Sequence, residues 1–259
     1  LSLRAKIEQS PMGAYQWMIV VMAAIMNLLD GFDVLALAFT ATAIRSEFGL
    51  TGIELGYLLS AGLFGMTAGS LFLAPLADKI GRRPLLLMAV SLSAIGMLGS
   101  AFISQYQWLG FWRVITGLGV GGILVGTNVI TSEYSSRKWR SFAISVYAAG
   151  FGIGAVLGGM FAVMLQGEYG WRSVFLAGAI LTGLLLVVLF IWLPESIDFL
   201  TSKQPKNAEV RLNLIAKKIG LAGDWKLPAK VEKVKNKLPI SQLFSEKYLH
   251  STLLIWTAF

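Results

Sequence analysis

The hydrophobic run from about Tyr15 to Ala41 limits what this chain can fold into more than any other feature. It is longer than the roughly 20 apolar residues that a membrane-spanning helix needs, yet it contains Asp30 and Asp33. An ionised Asp at mid-helix costs roughly 2.5–3.5 kcal/mol on insertion scales, so such residues face protein or water and usually have a function. The spacing places both carboxylates on one helix face, with Asn27 on the same stripe one turn earlier.

A competing interpretation ends the membrane segment at Leu29 and leaves both aspartates in a polar loop. The apolar stretch from Val34 to Ala43 opposes it, because the first strongly polar cluster is Arg45-Ser46-Glu47. The composition agrees with a membrane protein, since 56% of the 259 residues are hydrophobic and 14% are charged, against about 25% charged residues in ordinary soluble domains. The 28 glycines favour close packing of membrane helices, and cysteine is absent from the sequence.

Apolar windows predict six membrane-spanning helices joined by short loops, so that sequential helices are antiparallel neighbours. The windows lie near residues 16–41, 53–77, 84–103, 108–132, 141–165 and 171–193. Eight Lys and Arg residues fall on one side of this block (Arg4, Lys6, Lys79, Arg82, Arg83, Arg137, Lys138 and Arg140), and two on the other (Arg45 and Arg172). The basic side is therefore predicted to be cytoplasmic. Because the surplus of the +8 net charge lies in loops on this side and in the segment that follows, we expect a lipid bilayer and no nucleic acid as partner.

The sequence after Leu193 changes character and predicts two further regions. Residues 194–247 are rich in Lys and Arg and are predicted to be a cytoplasmic linker after an N-terminal bundle of residues 1–193. Within the linker, Asn207 to Ile219 has the pattern of a short amphipathic helix, either lying on anionic lipid or forming part of a solvated connector. Residues 248–259 begin a new apolar run that is too short to cross a bilayer, so we expect the start of a seventh helix, cut by the end of the chain.

The fourth predicted helix carries a second intramembrane charge, Arg113. From the helical rise, Asp33 and Arg113 lie about 26 Å and 28 Å from the basic-side ends of their helices, which predicts an Asp–Arg pair. One cation cannot neutralise two carboxylates, so the second aspartate is expected to bind and release a proton, with an incoming anion competing for Arg113. A purely structural ion pair beside a permanently protonated Asp is the alternative.

The predicted loops on the basic side concentrate opposite charges. Asp78 lies near a helix C-terminus, where the helix dipole disfavours an anion, so it needs a partner such as Arg82 or Arg83. Glu133 and Arg140 lie on the same side after the fourth helix. We expect these five residues to form a cytoplasmic gate that latches one conformation.

Several of these motifs together resemble a known family. Asp78-Lys79-x-Gly81-Arg82-Arg83 resembles the loop signature of the major facilitator superfamily, and Arg113-x-x-x-Gly117 resembles its fourth-helix Arg motif. Glu133-(x6)-Arg140 and Pro194-Glu195-Ser196 are similar to further motifs of its sugar and organic-acid branches. Asp30-Gly31-Phe32-Asp33 is similar to the DGxD signature of aromatic acid/proton symporters. Ala155 stands where drug/proton antiporters carry Pro, which disfavours drug efflux.

The resemblance implies an all-α membrane protein, the six-helix N-terminal half of a twelve-helix major facilitator fold built from two inverted three-helix repeats. It implies proton-coupled import of an aromatic or related organic acid by alternating access, in a bacterial inner membrane and together with the protein's own C-terminal six-helix half. A sugar or other neutral-metabolite porter, or an exporter, is the alternative; a receptor or scaffold would leave the intramembrane charges unexplained.

The expected site residues follow from both arguments. Asp30 and Asp33 are predicted to couple protons, and the resemblance implies an essential role for Arg113 and Glu133. The predicted substrate contacts are Asn27, Asp30, Asp33, Arg113, Thr116, Thr127, Asn128 and Tyr147. We expect no enzyme activity, no metal and no cofactor beyond the proton gradient, since the sequence has no nucleotide-binding loop and no catalytic constellation.

Overall fold

The computed structural model describes residues 2–228 together with residues 245, 249 and 254, and its regular structure in these residues is α-helical. The chain divides into two units, Leu1–Leu227 and Pro228–Phe259, and the first contains every helix named below. Those helices are α1 (Leu3–Gln9), α2 (Ala14–Phe48), α3 (Gly52–Ile80), α4 (Arg82–Ala101), α5 (Tyr106–Tyr134), α6 (Arg140–Tyr169), α7 (Trp171–Trp192), α8 (Ile197–Lys203) and α9 (Ala208–Ile219).

The six helices α2–α7 are long and apolar enough to cross a membrane, and the chain is a multi-pass integral membrane protein. The expected all-α membrane fold is confirmed. Several helices extend beyond the predicted apolar windows; α2, for example, continues through Arg45 and Glu47 to Phe48. It ends where Gly49 adopts a left-handed conformation, with φ of 63°. The next helix starts at once, because the side chains of Thr51 and Glu54 cap the first turn of α3 reciprocally.

Helix packing follows the pattern that two inverted repeats require. Helix α2 packs on α6 as α3 packs on α5, and α4 packs on α7. Exchanging the first three spans with the last three converts the α2–α6 pair into the α3–α5 pair and keeps the α4–α7 pair, which agrees with the expected repeat. Helix α4 also packs on α5, more extensively than the corresponding pair of α2 and α7. Gly154 of α6 lies so close to the Leu28 carbonyl of α2 that a Cβ would overlap it, and Gly117 of α5 meets Gly62 of α3 in the same way. Small residues thus permit backbone contact in both pairs.

Two short helices that the apolar windows did not reveal, α1 and α8, lie next to the bundle. Leu3 and Ile7 of α1 and Ile197 and Leu200 of α8 are buried with core residues of the spans. The predicted amphipathic helix is present as α9, so that the compact unit continues well past residue 193. Its Leu212 is buried, whereas Val210 and Leu214 are 61% and 56% exposed.

The predicted seventh helix at residues 248–259 lies outside the described residues, apart from Leu249 and Leu254, which are both helical. The boundaries proposed at residues 193 and 247 stay predictions.

Candidate functional site

Helix α2 carries Asp30 and Asp33 into the interior of the bundle, where both are almost completely buried, with exposed fractions of 2% and 1%. Ser93 of α4 donates a hydrogen bond of 2.6 Å to Oδ2 of Asp33. Oδ1 of Asp33 and Oδ2 of Asp30 have no hydrogen-bond partner in the described part of the chain. A buried carboxylate oxygen without a hydrogen-bond donor destabilises the folded protein, so this arrangement indicates a functional position.

The residues of α2 next to Asp30 pack against α6. Gly31, the next residue, touches the backbone of Phe151 in α6. One turn earlier, Asn27 donates a hydrogen bond of 2.8 Å to the carbonyl of Tyr147, also in α6. Asn27 therefore serves to tie α2 to α6, and its Oδ1 is a buried acceptor with no partner in residues 2–228.

Arg113 of α5 lies buried beside Asp33 without forming the ion pair that its depth predicted. Its guanidinium donates to the Ser100 hydroxyl at 2.9 Å and to the Thr116 hydroxyl at 3.0 Å, and it approaches the Met97 sulfur at 3.1 Å. The guanidinium also lies 4.8 Å from the ring centroid of Phe175. Toward α2, Arg113 reaches the backbone carbonyl of Asp33, at 3.5 Å.

The prediction of a direct Asp–Arg pair is therefore wrong for this structure. Helical rise gives depth along the membrane correctly but not the rotation of the side chains, and hydroxyl groups of α4 and α5 take the donors of Arg113 instead. The cation and both carboxylates share one interior region without neutralising one another in direct contact. A group that enters this region can bind the cation without first breaking an ion pair.

A cavity of about 40 Å³ lies against this region, lined by Asp33, Arg113 and Thr116 at a polar end. Its remaining walls are apolar side chains of α2, α3 and α5, among them Leu37 and Leu63. Sites for small organic molecules usually measure roughly 300–1,000 Å³, so this cavity is too small to enclose an aromatic acid.

The other predicted polar contacts do not all join this region. Thr116 accepts a hydrogen bond from Arg113. Tyr147 contacts Asn27 through its backbone carbonyl, and its hydroxyl lies 3.4 Å from the Leu124 carbonyl. Thr127 bonds the Ile123 carbonyl of its own helix, and Asn128 is exposed. By helical rise these two residues are about 21 Å or more from Arg113. The structure thus groups Asp30, Asp33, Arg113 and Thr116, with Asn27 and Tyr147 adjacent.

The charges at the basic end form separate contacts rather than one cluster. Asp78 pairs with Arg82 at 2.7 Å, as expected for one of its candidate partners. Arg140 pairs with Glu8 of α1 at 2.6 Å, and this guanidinium holds the pKa of Glu8 below its usual value.

Glu133 makes its contacts with α8 rather than with an arginine. Its carboxylate accepts hydrogen bonds from the Ser196 hydroxyl and the Ile197 N–H, each at 2.9 Å, at the N-terminus of α8. A carboxylate is favoured at this end of a helix by the orphan N–H groups. Glu133 and Arg140, two of the five residues of the expected gate, thus make separate contacts, each to a helix that the apolar pattern could not predict. The gate itself stays a prediction.

Arg83 also forms hydrogen bonds at the basic end, through both its backbone N–H and its side chain. Its N–H donates to Oε1 of Glu195 at 3.0 Å, and its guanidinium donates to the Phe190 carbonyl at 2.6 Å. We refer to the contacts of Glu8, Asp78, Glu133 and Glu195 with their donors as the basic-end network.

Sequence reasoning missed several residues of both regions. Glu195 stood within a recognised motif and could have been found from it. Ser93 and Ser100 lie on a stripe with Gly96 along α4, a small-residue spacing that indicates packing but gives no sign of a charged partner. Glu8 precedes the first apolar run, and its contact with Arg140 depends on how α1 folds back.

The comparisons with known proteins agree with this architecture. The model of the Major Facilitator Superfamily matches residues 23–259. The chain belongs to the Major Facilitator Superfamily. Among solved structures of that superfamily, the xylose transporter XylE from E. coli matches with a TM-score of 0.69 over 78% of this chain and 55% of that one, at 22% identity, which supports the fold alone.

Several relatives within the superfamily are transporters of aromatic acids. The gallate transporter of Pseudomonas putida is 34% identical over 98% of this chain and 56% of its own length. The 4-hydroxybenzoate transporter PcaK of the same organism is 33% identical over 100% of this chain and 58% of its own length. The benzoate transport protein of Acinetobacter baylyi is 24% identical over 99% of this chain and 56% of its own length. The chain thus spans a little over half the length of these relatives, and it is a transporter-family protein rather than an enzyme.

Proposed function

We propose that the protein containing this chain is a proton-coupled importer of an aromatic or related organic acid anion, acting by alternating access. The observation that carries the proposal is the buried group of Asp30, Asp33 and Arg113, in which carboxylate oxygens lack partners and the cation is bonded to neutral groups. The names of the relatives, transporters of gallate and 4-hydroxybenzoate, support the substrate class.

Arg113 is the group we assign to the substrate carboxylate. Its donors reach Ser100 and Thr116, both neutral, so a carboxylate can replace these contacts with charge-assisted hydrogen bonds, which are about twice as strong. Competition between substrate and Asp33 for this cation, as expected from the sequence, is not required by this geometry. The cavity is too small for the substrate in this conformation, but the side chains around Arg113, the Phe175 ring and apolar residues such as Leu37 and Leu63, suit an aromatic body better than a polyhydroxylated one.

Asp30 and Asp33 are the groups we assign to the proton. Each has an oxygen that a proton can occupy without displacing an existing hydrogen bond. A proton on one of them offsets the negative charge that the substrate brings, so that anion and proton are loaded together. The basic side of the bundle is assigned to the cytoplasm by the distribution of Lys and Arg.

The direct test is uptake by the full-length protein in proteoliposomes. We expect labelled 4-hydroxybenzoate or gallate to accumulate when the lumen is more alkaline than the medium, and a protonophore to abolish the accumulation. A labelled neutral sugar serves as the matched control and should not accumulate. Uptake of the sugar, or accumulation of the acid that does not respond to the pH gradient, would overturn the proposal.

A further inference from the structure

A second concave site lies at the basic end of the bundle, far from the intramembrane charges. It has a volume of about 160 Å³ and lies between the ends of the spans and α9. Three cations line it, Arg83, Arg211 and Lys218, with Glu195 as the one carboxylate among the lining residues. Neither the transport proposal nor the family comparison assigns a ligand to this pocket.

The carboxylate of this pocket is already engaged. Glu195 is 3% exposed, and its Oε1 accepts hydrogen bonds from the N–H groups of Arg83 and Ser196 at 3.0 and 2.9 Å. Its Oε2 lies 3.8 Å from the guanidinium of Arg211, which is a long contact. Three cations against one carboxylate leave the pocket with a surplus of two positive charges.

The cations keep donors that can reach a ligand. The Arg211 side chain is 39% exposed, and its one ion pair in the described part of the chain is the long contact to Glu195. The Lys218 ammonium lies 5.4 Å from the ring centroid of Tyr15 and has no ion pair within residues 2–228. Both side chains belong to α9, whose buried Leu212 and Ile215 fix the helix against the bundle. The donors are therefore held by a docked element rather than by a loose linker.

The rim of the pocket is apolar on the membrane side. Ile191 and Trp192, at the end of α7, are 61% and 49% exposed, and Leu214 of α9 is 56% exposed. The α7 surface continues this apolar strip toward the membrane centre through Val187 and Leu184. A Trp at the end of a span is typical of the membrane–water interface. Cationic donors with an adjoining apolar strip at this depth match an amphiphile with an anionic head.

We infer that this pocket binds the phosphate of an anionic phospholipid headgroup, with the acyl chains against the exposed face of α7. The phosphate contacts Arg211 and Lys218, and the bound lipid fastens α9 to the end of the bundle. The assignment is independent of the transported substrate, because it uses no residue of the intramembrane group.

The test measures binding of fluorescent phosphatidylglycerol to the full-length protein in a neutral sugar detergent. We expect R211Q and K218Q each to weaken binding about fivefold, which is the effect of removing one basic side chain near a phosphate. The matched control is K217Q, which removes the same charge from the neighbouring position of α9 at a residue that does not line the pocket. It should change binding less than twofold. K218Q alone decides the test if R211Q disturbs Glu195, because Lys218 contacts the Tyr15 ring and no carboxylate among the described residues.

Two further arms distinguish the sources of the phosphate. Phosphatidylethanolamine, which has the same phosphate but no net charge, should bind more weakly than phosphatidylglycerol, and inorganic phosphate should displace the probe only poorly. Displacement by inorganic phosphate at the affinity of the lipid would overturn the lipid assignment in favour of a free anion. Equal weakening by K217Q, or equal binding of both lipids, would overturn the assignment of the site.

Discussion

The intramembrane group and the basic-end network both contain buried carboxylates and arginines. They differ in how completely the carboxylate oxygens are hydrogen-bonded. In the network, the buried carboxylates are bonded: Glu133 accepts from Ser196 and Ile197, and Glu195 accepts from Arg83 and Ser196. In the membrane interior, Asp30 and Asp33 each keep an oxygen without a partner in the described residues. The carboxylates with unpartnered oxygens therefore lie in the membrane interior, which is the region where an unpaired charge is most destabilising.

This difference indicates different roles for the two regions. A satisfied network stabilises one arrangement of helix ends, whereas partly satisfied charges in a low-dielectric interior respond strongly to any ion that arrives. Natural proteins leave buried polar groups without full partners mainly at functional positions, and contacts elsewhere in the fold offset the lost stability. We therefore expect substitutions in the first region to change transport, and substitutions in the second to change conformation and stability.

The largest effect is expected from Arg113→Ala. The change removes the cation that we assign to the substrate carboxylate, and charge-assisted hydrogen bonds contribute about 1.5–3 kcal/mol, so the dissociation constant for 4-hydroxybenzoate should rise about 10- to 150-fold. Arg113→Lys keeps the charge and is expected to lose less. Equilibrium binding to purified full-length protein measures both, and an Arg113→Ala variant that binds the acid as well as the parent would remove the basis of the comparison.

A smaller effect is expected within the basic-end network, from Glu133→Gln. The amide of Gln has one acceptor oxygen where the carboxylate has two, so a donor at the α8 N-terminus loses its partner, at a cost of about 1–3 kcal/mol. Asp78→Asn is the matched comparison. The Asp78 side chain is 67% exposed in its ion pair with Arg82, and such exposed pairs contribute under about 1 kcal/mol to stability.

Thermal unfolding of the full-length protein in detergent ranks these two variants. Accessibility of cysteines placed on the basic side reports the gate, helped by the absence of native cysteine from this chain. We expect Glu133→Gln to change both readouts more than Asp78→Asn. The reverse order would show that the gate depends on the contact between the ends of α3 and α4 instead of on α8.

The smallest effect is expected from Glu8→Gln, and it should depend on pH. Because Arg140 lowers the pKa of Glu8 in the folded protein, the pair stabilises at pH values above the unfolded pKa of about 4.3, and the contribution is lost as pH falls through the lower folded value. Parent and variant should therefore differ by a constant amount from pH 8 to pH 5 and converge only once the pH has fallen below the lowered pKa of Glu8 in the folded protein. A difference that disappears between pH 8 and pH 6 would contradict the contact.

The sequence predicted the spans and the residues of the intramembrane group, because hydropathy and intramembrane charge are local signals. It did not predict the partners. Arg113 was expected to bind Asp33, but Ser100 and Thr116 take its donors, and that outcome depends on helix rotation, which no local pattern encodes. In the same way, Glu133 and Arg140 were expected to belong to one gate, but their partners were not predicted, because each contacts a short helix, α8 or α1, that is too brief to give a hydropathy signal.

The central claim is that the unpaired carboxylates of Asp30 and Asp33 couple the proton to the substrate, and uptake by Asp30→Asn and Asp33→Asn variants tests it most directly. Proteoliposomes containing each variant are given labelled 4-hydroxybenzoate with and without an alkaline lumen, and exchange of preloaded substrate is measured in parallel. We predict that both variants lose pH-driven accumulation, because Asn cannot carry the proton, while at least one retains exchange. If both variants still concentrate the acid against its gradient, the claim is wrong.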